Sequence, residues 1–303
     1  MRHFLSCADL TRESAQATFS AAAELKQRWK AGGRGVPLAG RTLALIFEKP
    51  SLRTRVTFEV GVVQLGGRAV YLAGSEIGLG TREAVPDVAR NLSRWVDGIV
   101  ARVFAHATIA GLARHATIPV INALSDFEHP CQAVADFFTL WERGVDLARM
   151  RLAWIGDGNN VCASFIHAAA AFGFKLNIAC PTIYHPDLVD LARAERTGAK
   201  IEMTEDARAA VAGADCVVTD TWVSMGDADG EAKMDALEPF QVDAKLMELA
   251  HPDAIFLHCL PAHRGEEVTD EVIDGPQSQV WDEAENRIHA QKAVLAWCLG
   301  GNT

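Results

Sequence analysis

The sequence predicts an α/β protein of two domains, each a parallel sheet flanked by helices. Three observations carry that expectation. The chain has 303 residues, about twice the usual 100–200 of a single domain. Short apolar runs of strand length alternate with helical periodicity from end to end, the pattern of repeated βα units. The alternation restarts after a polar patch, Glu142-Arg143-Gly144-Val145-Asp146, which sets the expected boundary near residues 135–150.

In the first half, residues 42–47 read as a strand, with a turn at Pro50 and a helix over about 56–65 that Gly66-Gly67 stops. Residues 69–72 read as the next strand. Beyond Val85, the apolar residues Val88, Ala89, Leu92, Trp95 and Val96 fall on one helix face. Residues 98–104 and 118–124 read as strands. Pro130 then opens a helix at the position where its missing N–H costs nothing, with Val134, Phe137, Phe138 and Trp141 on the buried face. In the second half, strands are expected at 152–155, 176–180, 200–203, 216–219 and 254–258. Helices are expected at 161–172 and 187–197, and a last one over about 283–299 ends at Gly300-Gly301. The seven tryptophans are expected to pack in cores.

Hydrophobic residues make up 49% and charged residues 22%, as in ordinary soluble domains. Lys+Arg is 29 against Asp+Glu 39, a formal net charge of −10. That balance argues against a general nucleic-acid binder, which needs cations for phosphates, but is compatible with a small anion held by a few local arginines. The seven cysteines are scattered and contain no Cys-x-x-Cys pair. Neither a disulfide framework nor a zinc site is expected, and a reducing, cytoplasmic compartment is. Charges interrupt the N-terminus and every apolar stretch too early for a signal peptide or a membrane span, so no membrane partner is expected.

Open parallel sheets bind ligands beyond the carboxyl ends of their strands. The polar residues of interest fall there. Ser51-Leu52-Arg53-Thr54-Arg55 follows the first strand; helix-start N–H groups, two hydroxyls and guanidinium groups suit a phosphate, although these five residues taken alone read first as an ordinary N-cap with solvated arginines. Only Arg53 need face a ligand, leaving Arg55 to brace the segment. Arg102 ends an apolar strand and calls for an anion or solvent. His129-Pro130-Cys131-Gln132 puts an imidazole and an amide at a helix start, as ligand groups or as a cap. Gly156-Asp157-Gly158-Asn159-Asn160 resembles the start of a dinucleotide fingerprint. It has Val161 where the third glycine belongs, and Cys180-Pro181 ends the next strand without a ribose-binding acid, so a nicotinamide dehydrogenase is the weaker reading. Asn160 suits a zwitterion's end groups, and Asp220 suits a cationic amine. Cys259 reads either as a substrate contact or as an inert thiol.

Taken together, these segments resemble the aspartate/ornithine carbamoyltransferase family over essentially the whole chain. The similarity is to its ornithine branch: Ser51–Arg55 and His129–Gln132 match the carbamoyl-phosphate motifs, Asp220-Thr221-Trp222-Val223-Ser224-Met225-Gly226 the ornithine loop, and His258-Cys259-Leu260-Pro261 and Glu285-Asn286-Arg287 the closing motifs. The resemblance implies a carbamoyl-phosphate domain over 1–135, an ornithine domain over 136–284, and a C-terminal helix, about 285–303, packed back on the first. It implies carbamoyl transfer from carbamoyl phosphate to L-ornithine, without cofactor or metal, in a homotrimer with active sites at subunit interfaces. The site residues it implies for carbamoyl phosphate are Ser51, Leu52, Arg53, Thr54, Arg102, His129, Gln132, Cys259, Leu260 and Arg287. For ornithine they are Asn160, Asp220, Ser224 and Met225, with Arg102, His129, Gln132, Asp220, Cys259 and Arg287 in the chemistry. Gly78 stands where many relatives carry a glutamine or histidine directed at a neighbouring subunit's phosphate; Arg82 is the nearby substitute. Alternative readings are an N-acylated ornithine as acceptor, a dehydrogenase, and a non-catalytic ligand-binding protein.

Overall fold

The computed structural model describes residues 2–34, 36–223 and 230–300. The chain divides into two compact units, one holding the residues up to Phe138 with those from Asn286 onward, the other Thr139–Glu285. The divisions fall inside two helices, Pro130–Glu142 and Val280–Leu299.

The first unit is built on four parallel strands, β1 (Thr42–Phe47), β2 (Arg68–Ala73), β3 (Gly98–Arg102) and β4 (Val120–Leu124), in the order β2-β1-β3-β4. Strands β3 and β4 are buried at every residue and β1 at all but the first, as expected of apolar runs covered on both faces. Edge strand β2 is only partly covered. The expected run 98–104 overshoots by two residues. Val103 still donates its N–H to Leu124, but the Phe104 N–H goes to the Glu48 carboxylate at 2.8 Å instead of a neighbouring strand. Strand β4 begins after Pro119, which has no N–H to give a ladder.

The helix expected over 56–65 starts earlier, at Leu52, and ends at Gln64. Ser51 is its N-cap: backbone extended, side-chain oxygen accepting the Thr54 N–H at 3.2 Å. Leu52 through Arg55 are therefore the first turn of a helix, not a loop. On the helix Val85–Trp95 the buried stripe is Val88, Ala89 and Leu92, while Trp95 is 70% exposed. Trp281 is also exposed, so packing accounts for Trp154 and Trp222, both fully buried, but not for all seven tryptophans.

The second unit carries β5 (Arg151–Ile155), β6 (Lys175–Ala179), β7 (Lys200–Thr204), β8 (Cys216–Thr219) and β9 (Ile255–Leu257), all parallel, in the order β7-β6-β5-β8-β9. One core cluster runs from Ile155 and Val217 under the sheet to Phe240, Val242, Met247, Phe256 and Val268. In each sheet the chain winds outward one way from its first strand and then returns to the other side. The reversals, between β1 and β3 and between β5 and β8, are where such sheets open a crevice for ligands.

Candidate active site

At the first reversal, the register pairs Phe47 of β1 with Arg102 of β3, bringing the Ser51 cap and the Arg102 guanidinium to the same sheet end. Thr54, on the helix's first turn, is fully buried. Its Oγ1 accepts from Arg287 Nη2 at 2.7 Å and from Arg102 Nη1 at 3.5 Å. A hydroxyl has two acceptor sites and one proton. With two guanidinium groups on the oxygen, the Thr54 O–H has to be directed elsewhere as a donor.

Arg287 also meets His129, Nη2 to Nε2 at 3.1 Å. A guanidinium only donates, so Nε2 accepts and the imidazole proton sits on Nδ1. Burial first, then the charges of Arg287, Arg102 and Arg53, hold the His129 pKa well below its ordinary 6.5. His129 is therefore a neutral Nδ1–H tautomer, a hydrogen-bond donor through that nitrogen rather than a cation. Gln132, in the first turn of the helix Pro130–Glu142 that follows, gives its Nε2–H to Asp136 at 2.6 Å, and both residues are buried. Arg55 lies outside this cluster, bonded to Glu59 at 2.9 Å and stacked 3.6 Å over the Tyr71 ring, so it braces the helix. Leu52 is 75% exposed and presents only its backbone to the helix start. Gly78 has φ +64 and caps the short helix Gly74–Ile77, a conformation that disfavours glutamine or histidine. Arg82 is bonded to Glu83 at 3.0 Å.

At the second reversal, Asn159 follows β5 and Asp220 follows β8. Asn159 caps the helix Asn160–Phe172 with Oδ1, accepting from Val161 and Cys162, and gives Nδ2–H to Asp220 Oδ2 at 2.8 Å. The second carboxylate oxygen, Oδ1, accepts from the Cys259 thiol at 3.1 Å. Two neutral donors hold the Asp220 acid at the strand end. Asn160 is the first residue of the capped helix. Ser224 and Met225 lie outside the described residues.

The segment carrying Cys259 and Leu260 is fixed from behind. His258 Nδ1 accepts the Leu260 N–H at 2.9 Å, its Nε2 donates to Glu267 at 3.0 Å, and its backbone N–H goes to Glu283 at 3.0 Å. This hold keeps Leu260 at φ +58, a left-handed conformation rare for a leucine, before a cis Leu260-Pro261 bond. The ligand atoms of Asp220, His258 and Cys259 lie within 4.8 Å of one another. Both His258 nitrogens and the Cys259 thiol are spoken for, however, so the cluster reads as a hydrogen-bonded support.

The sequence reading did not assign Asn159, Asp136, Glu267 or Glu283. Gln132 and Asp136 carried a usable signal, since amide and acid four residues apart share a helix face. Asn159 could have been read as a helix cap. Glu267 and Glu283 are joined to His258 only by the tertiary fold.

The cationic cluster at one reversal suits a small anion, and the anchored acid at the other suits an amine. Two family models cover the chain. The carbamoyl-P binding domain of aspartate/ornithine carbamoyltransferase matches residues 2–142, and the Asp/Orn binding domain matches residues 148–298. The chain belongs to the aspartate/ornithine carbamoyltransferase family. Close relatives are ornithine carbamoyltransferases. The ornithine carbamoyltransferase of Rhodopseudomonas palustris is 56% identical over 300 residues, covering 99% of this chain and 97% of that one. That of Nitrobacter winogradskyi is 55% identical over 302 residues, covering 99% and 97%. Among solved structures, the ornithine carbamoyltransferase from Pyrococcus furiosus superimposes with a TM-score of 0.95 at 46% identity, over 100% of this chain and 98% of that one.

Proposed function

We propose that this chain transfers the carbamoyl group of carbamoyl phosphate to the δ-amine of L-ornithine, giving L-citrulline and phosphate. The single observation that carries the reading is the buried constellation of Thr54, Arg102, His129 and Arg287 beside the Ser51-capped helix start. It supplies what an acyl phosphate demands: positive charge for phosphate oxygens and neutral donors for a carbonyl.

The phosphate is bound by the helix-start N–H groups behind Ser51 and Leu52, by the Ser51 hydroxyl, and by Arg53 and Arg102. The carbonyl oxygen receives the Thr54 O–H, Arg102 and the His129 Nδ1–H. These donors gain most when the δ-amine, unprotonated, adds to the carbonyl carbon and negative charge develops on that oxygen. The C–O bond to phosphate then breaks, the proton shed by the attacking nitrogen ends on the phosphate, and the arginines stabilise the departing hydrogen phosphate dianion. Arg287 keeps Thr54 and His129 in their donor states. Gln132, with Cys259, Leu260 and Arg287, is assigned to the carbamoyl amide. No covalent enzyme intermediate is needed.

Ornithine's α-amino-acid end is assigned to Asn160, Asp220, Ser224 and Met225, with Asp220 on the α-ammonium. An acid held by two neutral donors favours that cation over the neutral amide of an N-acylated ornithine. Aspartate would bring a further negative charge to it. The conversion belongs to arginine biosynthesis in this reading.

We further assign a homotrimer in the cytoplasm. The helix Leu52–Gln64 is apolar on both sides: Phe58 and Val62 are buried, whereas Leu52, Val56, Val60 and Val63 are 41–75% exposed. An exposed apolar stripe of this length, beside the Arg55–Glu59 pair and opposite the buried face, is one that a further surface would cover. A second copy on this face would abut the Ser51–Thr54 turn, which supports active sites at subunit interfaces; the count of three comes from the family resemblance. No described helix is long and apolar enough to cross a membrane, and none of the seven cysteines is in a disulfide.

The test is product analysis. Incubation with carbamoyl phosphate and L-ornithine is expected to yield citrulline and phosphate in equal amounts. Phosphate release without citrulline would overturn the assignment.

A further inference from the structure

We infer that Asp136 is a positioning residue that fixes which end of the Gln132 amide meets the substrate, and thereby makes the site select an amino group over a methyl on the acyl carbon. The inference rests on the carbamoyl-transfer reading and deepens it.

A glutamine amide has an oxygen that accepts and a nitrogen that donates, on one carbon and nearly equal in size. Left alone, Gln132 could offer either face to a ligand by turning its last torsion through half a circle. Asp136 removes that freedom. It lies four residues further along the same helix, Pro130–Glu142, its side chain is 1% exposed, and its Oδ1 is 2.6 Å from Gln132 Nε2. A carboxylate accepts and does not donate, so the nitrogen must face it. Reversing the amide would set Gln132 Oε1 against the Asp136 oxygen, two acceptors facing each other in a buried place, which is costly.

Gln132 is thereby committed to offering Oε1, an acceptor, on its other side. Among the acyl phosphates, carbamoyl phosphate carries an NH2 on its acyl carbon and acetyl phosphate a CH3. Only the first can donate to Oε1. A site built around a fixed acceptor accordingly favours the donor-bearing ligand and leaves its own acceptor unmatched with the other. The arginines, the Thr54 hydroxyl and the Nδ1–H imidazole are donors aimed at phosphate and carbonyl oxygens, which the two ligands share, so among these side chains Gln132 is the one that meets the NH2 as an acceptor.

The test uses two non-hydrolysable probes, phosphonoacetamide and acetonylphosphonate. They share the phosphonate and the carbonyl and differ only in NH2 against CH3. Because both carry the same charge, the ratio of their inhibition constants against carbamoyl phosphate cancels any change in the field of the site. The whole enzyme is expected to bind phosphonoacetamide about tenfold more tightly, the worth of a neutral hydrogen bond at the upper end of its range. Asp136→Ala, which removes the carboxylate that holds Gln132 Nε2, is expected to lower the ratio severalfold. Asp136→Asn, able to offer either an oxygen or a nitrogen, is expected to fall between. A ratio near one in the unaltered enzyme overturns the inference without recourse to any variant. Equal weakening of both probes in Asp136→Ala, with the ratio preserved, also overturns it, since that is what loss of packing alone would do. A chain that makes citrulline but fails these ratios refutes only this inference, whereas a chain that makes no citrulline refutes the proposed function itself.

Discussion

Replacing Thr54 by valine removes one hydroxyl from the centre of the carbamoyl-phosphate site and leaves the shape of the side chain almost unchanged. Two losses follow from the geometry. Arg287 loses its acceptor at 2.7 Å, a bond to a charged group that contributes about 1.5–3 kcal/mol. The 3.5 Å contact from Arg102 is at the limit of a hydrogen bond and adds little. That first loss falls on the free enzyme, as lower stability and a less ordered guanidinium. The second falls on the reaction. With both arginines on its oxygen, the Thr54 proton is available to the ligand's carbonyl, and deleting one such donor typically lowers kcat ~100–1,000-fold. Thr54→Val should therefore fold, bind carbamoyl phosphate more weakly, and turn over at least about a hundredfold more slowly. Thr54→Ser keeps the hydroxyl and should recover most of the rate. Steady-state citrulline formation at saturating ornithine, with a thermal melt of each variant, reads both quantities. An unchanged kcat in Thr54→Val, or a Thr54→Ser as slow as Thr54→Val, would refute the reasoning.

Three other outcomes are expected. Arg102→Ala should lower turnover about 100–1,000-fold with the fold intact, and normal turnover in a folded variant would remove Arg102 from the chemistry. Because burial and three arginines depress the His129 pKa below 6.5, the unfolded chain binds a proton below that pH that the folded chain refuses. Stability should fall as pH drops from neutral toward 5, and less steeply in His129→Gln; identical slopes in urea denaturation would count against a buried neutral His129. Val60→Lys, on the exposed apolar face of the helix Leu52–Gln64, should shift the assembly toward single chains by light scattering, and an unchanged mass would place the subunit contact elsewhere.

The strands were legible because most are unbroken apolar runs ended by Gly, Pro or a charge, and 42–47 and 216–219 match residue for residue. Helix starts were less so. The start at Leu52 depends on one side-chain hydrogen bond from Ser51, and the apolar periodicity used to find the helix begins a turn later, at Val56. Trp95 shows the limit of periodicity. It lies at the right spacing after Leu92, yet at the helix end it has no element over it within its own unit and stays exposed. In the candidate site, residues after strand ends were found because a parallel sheet makes that position a rule. What escaped was the support. That Thr54 receives Arg287 from 233 positions away, or that Glu283 and Glu267 hold His258, is set by tertiary packing, and no local spacing encodes it. The single acid at 220 was visible, but its two donors, Asn159 and Cys259, come from different loops.

The most direct test of the account is the choice of acceptor. With carbamoyl phosphate saturating, kcat/KM is measured side by side for L-ornithine, N-acetyl-L-ornithine, L-aspartate and putrescine. The account predicts that L-ornithine is used best, about tenfold or more ahead of N-acetyl-L-ornithine, which lacks the α-ammonium for Asp220 to bind. It also predicts that Asp220→Asn lowers ornithine use by about ten- to a hundredfold while leaving carbamoyl-phosphate binding nearly unchanged. Preference for N-acetyl-L-ornithine or L-aspartate, or an Asp220→Asn enzyme that uses ornithine as well as the parent, would contradict it.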